Sequence, residues 1–304
     1  MRARIRIGTA SWTDPGFVED WYPPKLPARA RLRWYAEQFN YVEINATFYA
    51  IPMERTVARW VTETPDDFLF DAKLPKALSR HRMQAKFLPS DLRSKVTNER
   101  GYVTLSAKSE KLIVQRFLRE MRPLFDANKL GAFLLQLSPS FQPKHDRLDE
   151  LDSLCDLLAP HPLAVELRNR DWVTGEQADL TLDYFCSRKM TFVMVDAPDS
   201  EHFTVMRGMN SVTSPKLAYF RLNGRNAEEY IAGRSVPERF NYDYPRAEVE
   251  EIAGRVRTME DQVDEIHIAA NNNRSSYAPK TAKLLAEILI GRTETRTLTQ
   301  SKLL

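Results

Sequence analysis

The chain has 304 residues, 43% hydrophobic and 28% charged, with 44 Lys and Arg against 41 Asp and Glu for a net charge of +3. That length suits one α/β barrel, and so even a charge balance argues against a dedicated nucleic-acid binder or an acidic tail. No run of about 18 apolar residues is available to span a bilayer, and residues 1–8 carry basic side chains with no apolar core behind them, a poor secretory signal. The expected location is the cytoplasm. Cys155 and Cys186 lie far apart in apolar helical patterns and form no CxxC pair, so they are expected to be inert buried thiols with no disulfide framework or cysteine zinc site.

Strands and helices alternate along the chain. Residues 4–8 alternate polar and apolar and then meet a turn at Thr13-Asp14-Pro15-Gly16. Residues 32–39 form a helix anchored by Trp34, Tyr35 and Phe39, 41–47 a strand, 54–63 a helix, and 68–74 a strand stopped by Pro75. Periodicity fails from Ser79 to Lys108, which reads as a short helix inside a long polar loop over one mouth of the fold. Helices follow at 111–125, 146–158, 176–188, 245–259 and 279–290, with strands at 130–137, 162–168, 191–196, 216–222 and 265–270. Alternation of this kind implies a parallel sheet, and eight such units in one chain favour a closed (β/α)8 TIM-type barrel over an open sheet. The expected organisation is one domain over residues 1–291, a basic insertion over about 79–110 and a polar tail at 292–304.

No GxGxxG or P-loop follows any strand, so no nucleotide cofactor is expected. From Lys73 to Arg119 there are twelve Lys or Arg and three acids, a stripe able to meet phosphates or simply to be solvated.

Barrel interiors are normally filled by branched apolar residues, with active sites at the C-terminal strand ends. Here those ends are polar. Residues two apart share a strand face, which groups Glu43 with Asn45, Asp71 with Lys73, Glu166 with Arg168, and Arg221 with Asn223 and Arg225. Gln136 closes the fourth strand, Asp196 the sixth, and Asn271, Asn272 and Asn273 the eighth. If every set points inward, Glu43, Glu166 and Asp196 meet Lys73, Arg168 and Arg221 in one cleft. Buried charges come paired or bind something, so the alternative is a salt-bridge plug. In the first case Glu43, Glu166 and Asp196 are the catalytic candidates. Asn45, Lys73, Gln136, Arg168, Trp172, Arg221, Asn223, Arg225, Asn271 and Asn272 would bind substrate.

Trp12, Trp172 and Tyr49 follow strands and either wall this cleft or cap the apolar core. His81, His145, His161 and His202 sit in loops and are expected to be exposed, while His267 on the eighth strand reads as a satisfied interior histidine. The absence of HxH and HExxH disfavours a histidine metal cluster and leaves a carboxylate-only magnesium or manganese site as the metal alternative.

Several segments together have a known pattern: Gly8-Thr9-Ala10-Ser11-Trp12, Val42-Glu43-Ile44-Asn45-Ala46-Thr47-Phe48-Tyr49, residues 68–73, Leu135-Gln136-Leu137-Ser138-Pro139-Ser140, Val165-Glu166-Leu167-Arg168 with Trp172, Tyr219-Phe220-Arg221-Leu222-Asn223-Gly224-Arg225, and Asn271-Asn272 followed by Ala278. In this order they resemble the domain-of-unknown-function-72 family, also called YecE-like, over roughly residues 5–290. The resemblance implies a TIM-type barrel and brings no established reaction. It also implies a histidine before the seventh-strand glycine, where this chain has Asn223, and a glycine after the Asn pair, where it has Ser275-Ser276-Tyr277. The basic stretch at 82–108 is longer than is usual there.

The expected function is a hydrolase or lyase acting on a phosphorylated or nucleic-acid substrate, its phosphate oxygens held by Lys73, Arg168, Arg221 and Arg225. A barrel that binds a small anion or a partner without turnover is one alternative. A metal-free enzyme of sugars or carboxylates using paired acids is another.

Overall fold

A computed structural model describes residues 2–206 and 208–291; the polar tail expected at 292–304 lies outside the described residues. Eight strands form the centre: β1 Arg4–Thr9, β2 Tyr41–Ile44, β3 Leu69–Lys73, β4 Leu130–Gln136, β5 Leu163–Glu166, β6 Thr191–Asp196, β7 Leu217–Leu222 and β8 Glu265–Ala270. All pair in parallel, each with its sequence neighbour, and β8 returns to β1 in continuous register from Arg4–Glu265 to Thr9–Ala270. The result is the closed parallel TIM-type barrel that the alternation predicts, with no helix between β6 and β7 among the described residues.

Strand residues facing outward meet aromatic side chains on the surrounding helices. Phe70 of β3 stacks on Trp60 of helix Glu54–Thr62 with ring centroids 6.4 Å apart. Phe133 of β4 meets Phe117 of helix Ala107–Asp126, and Phe192 of β6 meets Phe185 of helix Glu176–Ser187, each at 5.6 Å. Such pairs add to the area they bury and fix which strand face points away from the barrel axis. Helix Ala107–Asp126 begins four residues ahead of its predicted start because Ser106 caps it, accepting from the Ser109 N–H while the Ser109 hydroxyl accepts from the Ser106 N–H. Ile113, Val114, Phe117, Met121 and Leu124 then form its buried stripe.

The segment after β3 contains the expected short helix but is not otherwise a polar loop. It folds back through a turn at Ala85–Phe87, a helix at Ser90–Val96 and two antiparallel bridges, Gln84 with Tyr102 and Thr97 with Val103. Met83, Leu88, Leu92 and Val96 are buried beneath it. Among so many charges, these four apolar residues are too widely spaced to read as one face.

The thiols also differ from expectation. Cys186 is exposed, because it sits one residue past Phe185 and off the buried stripe of its helix. Cys155 is partly buried beside Met190, and desolvation raises its thiol to about 11, which keeps it protonated and unreactive. Among the described residues no helix is long and apolar enough to cross a membrane.

One glycine makes the interior arrangement achievable. A Cβ on Gly131 of β4 would stand 2.5 Å from Asp71 Oδ1 and 2.6 Å from His267 Cε1. Gly131→Ala is therefore expected to destabilise the fold by about 1–3 kcal/mol, the usual cost of overpacking. Urea unfolding of the variant at neutral pH checks this, and an unchanged midpoint would contradict it.

Candidate functional site

The barrel interior is filled by polar side chains joined in one hydrogen-bonded column. Near the N-terminal end, His267 Nδ1 lies 2.8 Å from Asp71 Oδ2, while Asp71 Oδ1 accepts from the Ala132 N–H at 2.6 Å. The Tyr41 hydroxyl is 2.7 Å from Asp71 Oδ2 and 2.8 Å from the Tyr219 hydroxyl, which in turn is 2.8 Å from Glu43 Oε2. Two phenol protons thus serve three oxygen–oxygen contacts. Burial, then the neighbouring carboxylates, hold both phenols well above their ordinary range, so they stay protonated. Burial alone would depress His267, but Asp71 and Glu265 outweigh it and raise the imidazole to about 9.

Above this lies the ion cluster. Arg221 grips Glu43 through Nε at 2.9 Å and Nη2 at 2.8 Å, and its Nη1 donates to Glu166 Oε2 at 2.5 Å. Gln136 Nε2 donates to both Glu166 oxygens at 2.9 Å, and its own carbonyl accepts from Lys73 Nζ at 2.8 Å. Arg168 Nη1 stands 3.5 Å from Glu166 Oε1. Desolvation pushes the Glu166 carboxyl up, yet Arg221, Arg168 and Lys73 outweigh it and hold it below its usual range. Burial, then the Arg221 charge, lowers the Lys73 ammonium to about 7, so it exists in both protonation states near neutrality.

A cavity of about 360 Å³ opens over this cluster at the C-terminal mouth. Lys73, Gln136, Arg168 and Arg221 face it from below, Asn45, Asn271 and Asn273 from the rim, and Phe48, Tyr49 and Phe240 as apolar wall. Several buried polar atoms around it lack a protein partner: Asp14 Oδ2, Asn45 Oδ1, Asn273 Oδ1 and Arg168 Nε. Buried polar atoms are normally satisfied, so unpaired ones converging on a cavity point to a ligand or water.

Two lining groups escaped the sequence reading. Asp14 follows β1, where the turn residues around it read as mere punctuation; burial raises its carboxyl to about 6, partly offset by a bond from Ser11. His81, expected to be exposed, is tucked edge-on against Phe48 with ring centroids 5.2 Å apart. Its Nδ1 lies 2.9 Å from the Ser79 carbonyl, which requires a proton on that nitrogen and leaves Nε2 as an acceptor in the neutral ring. Burial lowers it to about 4, so it is neutral at ordinary pH. His161 is likewise not free, stacking on Phe125 at 4.3 Å.

Five of the six charged groups expected in one cleft, Glu43, Glu166, Lys73, Arg168 and Arg221, come together, and Asp196 does not. Glu43 and Glu166 are fully buried beneath the cavity, with their oxygens turned to Arg221, Tyr219 and Gln136. Both are engaged by the guanidinium, and neither lines the cavity. Asp196 lies on the outer face of β6, the same face as Phe192, and is held by Arg225 at 2.7 Å, Arg255 at 3.0 Å and the Tyr244 hydroxyl at 2.7 Å. Arg225 goes with it into a separate cleft. Trp172 is buried, stacked on Phe141 at 5.2 Å and donating to its carbonyl, so it caps the core. Trp12 packs edge-on against Trp60; of the three aromatics weighed, Tyr49 alone lines the mouth cavity.

Asn223 sits one layer behind the rim, where its Oδ1 accepts from Asn271 Nδ2 at 2.8 Å and so orients that amide. Asn272 ties the end of β8 to the Tyr242 carbonyl and to Thr281 of helix Tyr277–Ile290. Asn45, Lys73, Gln136, Arg168, Arg221 and Asn271 do come together as expected. Among the described residues no group of three His, Cys, Asp or Glu side chains could hold a metal ion. With Glu43 and Glu166 saturated by the guanidinium, the carboxylate site considered for magnesium or manganese lacks its donors.

Residues 6–302 match the family model described as protein of unknown function DUF72. The chain belongs to the DUF72 family. It is 26% identical to the UPF0759 protein YunF of Bacillus subtilis (strain 168), over 94% of each chain. Against the UPF0759 protein YecE of Escherichia coli (strain K12) it is 31% identical over 59% of this chain and 54% of the relative, so that match spans about half of YecE. A crystal structure of a DUF72 family protein from Enterococcus faecalis V583 superposes with a TM-score of 0.78 at 25% identity, covering 94% of this chain and 95% of that one. The DUF72 protein of Thermotoga maritima MSB8 gives 0.76 at 24% identity, covering 94% and 99%. The DUF72 fold is therefore shared along nearly the whole chain. At Asn223, where the resemblance implies histidine, an amide accepts from Asn271 and does not line the mouth cavity.

Proposed function

We propose that the mouth cavity is the active site of a hydrolase or lyase acting on a phosphorylated substrate. One observation carries this reading: the charged groups on the cavity floor are cationic donors, Lys73, Arg168 and Arg221, while the acids that balance them are buried behind. Such a floor is preorganised for phosphate oxygens, with Arg168 Nε still lacking a partner. Glu43 and Glu166 hold Arg221 in place so that it costs no reorganisation when an anion arrives. Asp14, raised to about 6, is the general acid or base on the cavity wall, and neutral His81 offers a second acceptor at Nε2. A paired-carboxylate mechanism is not favoured, because Glu43 and Glu166 share one guanidinium and neither faces the opening.

The test is a turnover screen over phosphate monoesters and diesters, with phosphate binding followed in parallel. Asp14→Asn is expected to lower kcat by about 10²–10⁴-fold and to remove a pH inflection near the Asp14 value of about 6. Arg168→Met is expected chiefly to raise KM. Phosphate binding that depends on Arg168 without turnover of any phosphate ester would leave a binding barrel in its place. An absence of phosphate binding would sink the anion reading itself.

A further inference from the structure

A second cavity, of about 400 Å³, opens beside the first in the segment that follows β3, and Tyr49 lines both. Its other walls include Phe87, Tyr102, Arg82 and Lys76, and no Asp or Glu lines it. Tyr49 is 58% exposed and Phe87 51% exposed, so two large ring faces are open to solvent at one place. The Arg82 guanidinium lies 3.8 Å from the centroid of the Tyr102 ring, and Lys86 Nζ lies 5.1 Å from that of Phe87.

Two of the three acids of this basic stretch are committed elsewhere, Asp91 to Arg116 and Glu110 to Arg80, and the third, Glu99, does not line the cavity. Lys76, Arg82 and Lys86 make no ion pair among the described residues. Open aromatic faces interleaved with cations suit a planar base: the rings stack on it, the Arg82 guanidinium held over Tyr102 adds a flat cationic face to the same wall, and no carboxylate lines the cavity to repel the phosphate attached to the base. Tyr49, Phe87 and Tyr102 stand outside the buried core, to which Met83, Leu88, Leu92 and Val96 of the same segment belong.

We propose that this second cavity is a subsite for a planar nitrogenous base, so that the ligand spanning both cavities is a nucleotide unit. The base stacks among Tyr49, Phe87 and Tyr102, and its phosphate reaches the Lys73, Arg168 and Arg221 floor across the shared Tyr49. The phosphate half rests on the reading of the mouth given above; the base half does not. The same chemistry is offered by a free mononucleotide and by one unit of a single-stranded nucleic acid.

Binding of adenosine, ribose phosphate, adenosine monophosphate and a tetradeoxyadenylate to the intact protein tests this, with the exposed-side-chain variant Phe87→Ala/Arg82→Ala as comparison. Adenosine monophosphate is expected to bind at least about tenfold more tightly than ribose phosphate, in keeping with base–aromatic stacking. The double variant should erase that margin and leave ribose phosphate binding unchanged. A tetranucleotide that binds a further tenfold or so more tightly, with steep salt dependence, identifies a single strand; equal affinities identify the mononucleotide.

Equal binding of adenosine monophosphate and ribose phosphate to the unmodified protein overturns the subsite and leaves the mouth reading standing. Adenosine binding that the double variant weakens, with no binding of ribose phosphate, keeps the subsite and removes the mouth reading instead.

Discussion

Arg221→Ala is expected to lower the unfolding free energy by about 3–5 kcal/mol near neutral pH, the range for breaking a buried ion pair by removing one partner. Arg221 is 1% exposed and bonds two carboxylates that are wholly buried, so its loss leaves Glu43 with no ion-pair partner and Glu166 with the more distant Arg168 alone, where water does not reach. The pH dependence distinguishes this from a simple packing defect. In the unmodified protein Glu166 is depressed below its unfolded value, so its contribution is present above that value and is lost as pH falls through the folded one. In the variant the orphaned carboxyls are driven upward by burial, and protonating them relieves the penalty. The gap between the two proteins should therefore narrow as pH is lowered toward about 4–5, the ordinary carboxylate range. Arg221→Lys restores a charge but not the fork that reaches Glu43 and Glu166 together, so only part of the loss should return. Denaturant unfolding across that range is the measurement; a gap that stays constant with pH would refute the electrostatic account.

The second large effect lies at the opposite end of the column. His267 is raised from an unfolded value near 6.5 to about 9 by Asp71 and Glu265. A group raised in the folded state contributes fully below its unfolded pKa and loses that contribution as pH climbs through the folded one. Stability should accordingly fall, by an amount on the order of a few kcal/mol, as pH rises from roughly 6.5 through about 9. His267→Phe should flatten that decline while lowering stability at neutral pH, because Asp71 then keeps Tyr41 and the Ala132 N–H but no cation. Unfolding midpoints of the two proteins at neutral and alkaline pH decide the matter, and parallel curves would show that the imidazole carries no net charge.

Much of the fold was legible because most strands are short apolar runs, or alternate as β1 does, and helical patterns separate nearly all of them, so that eight strands leave few ways to close. The site was legible only where polar and apolar residues alternate. Glu43, Lys73 and Arg221 each stand two positions from an interior polar residue, Tyr41, Asp71 and Tyr219, and the parity carries through. On β6 the run Phe192-Val193-Met194-Val195 is apolar on both faces, as a strand packed on both sides must be. Nothing in it says which way Asp196 points, and the outward contact of Phe192 with Phe185 decides it. Depth was equally invisible: a carboxylate under a guanidinium and one facing a substrate occupy the same kind of position in a sequence. Asp14 and His81 lie in loops, where no periodicity reports burial.

Arg221 also has a consequence for how the molecule is made. The residue that neutralises Glu43 lies 178 positions further along the chain, and Glu166 waits 55. A nascent polypeptide whose seventh strand is still inside the ribosome has β2 and β5 in hand but not the guanidinium that joins them, so half a barrel would have to bury Glu43 without its cation or keep it wet. Closure is thereby tied to the late arrival of one side chain, which penalises premature collapse of the earlier strands during synthesis.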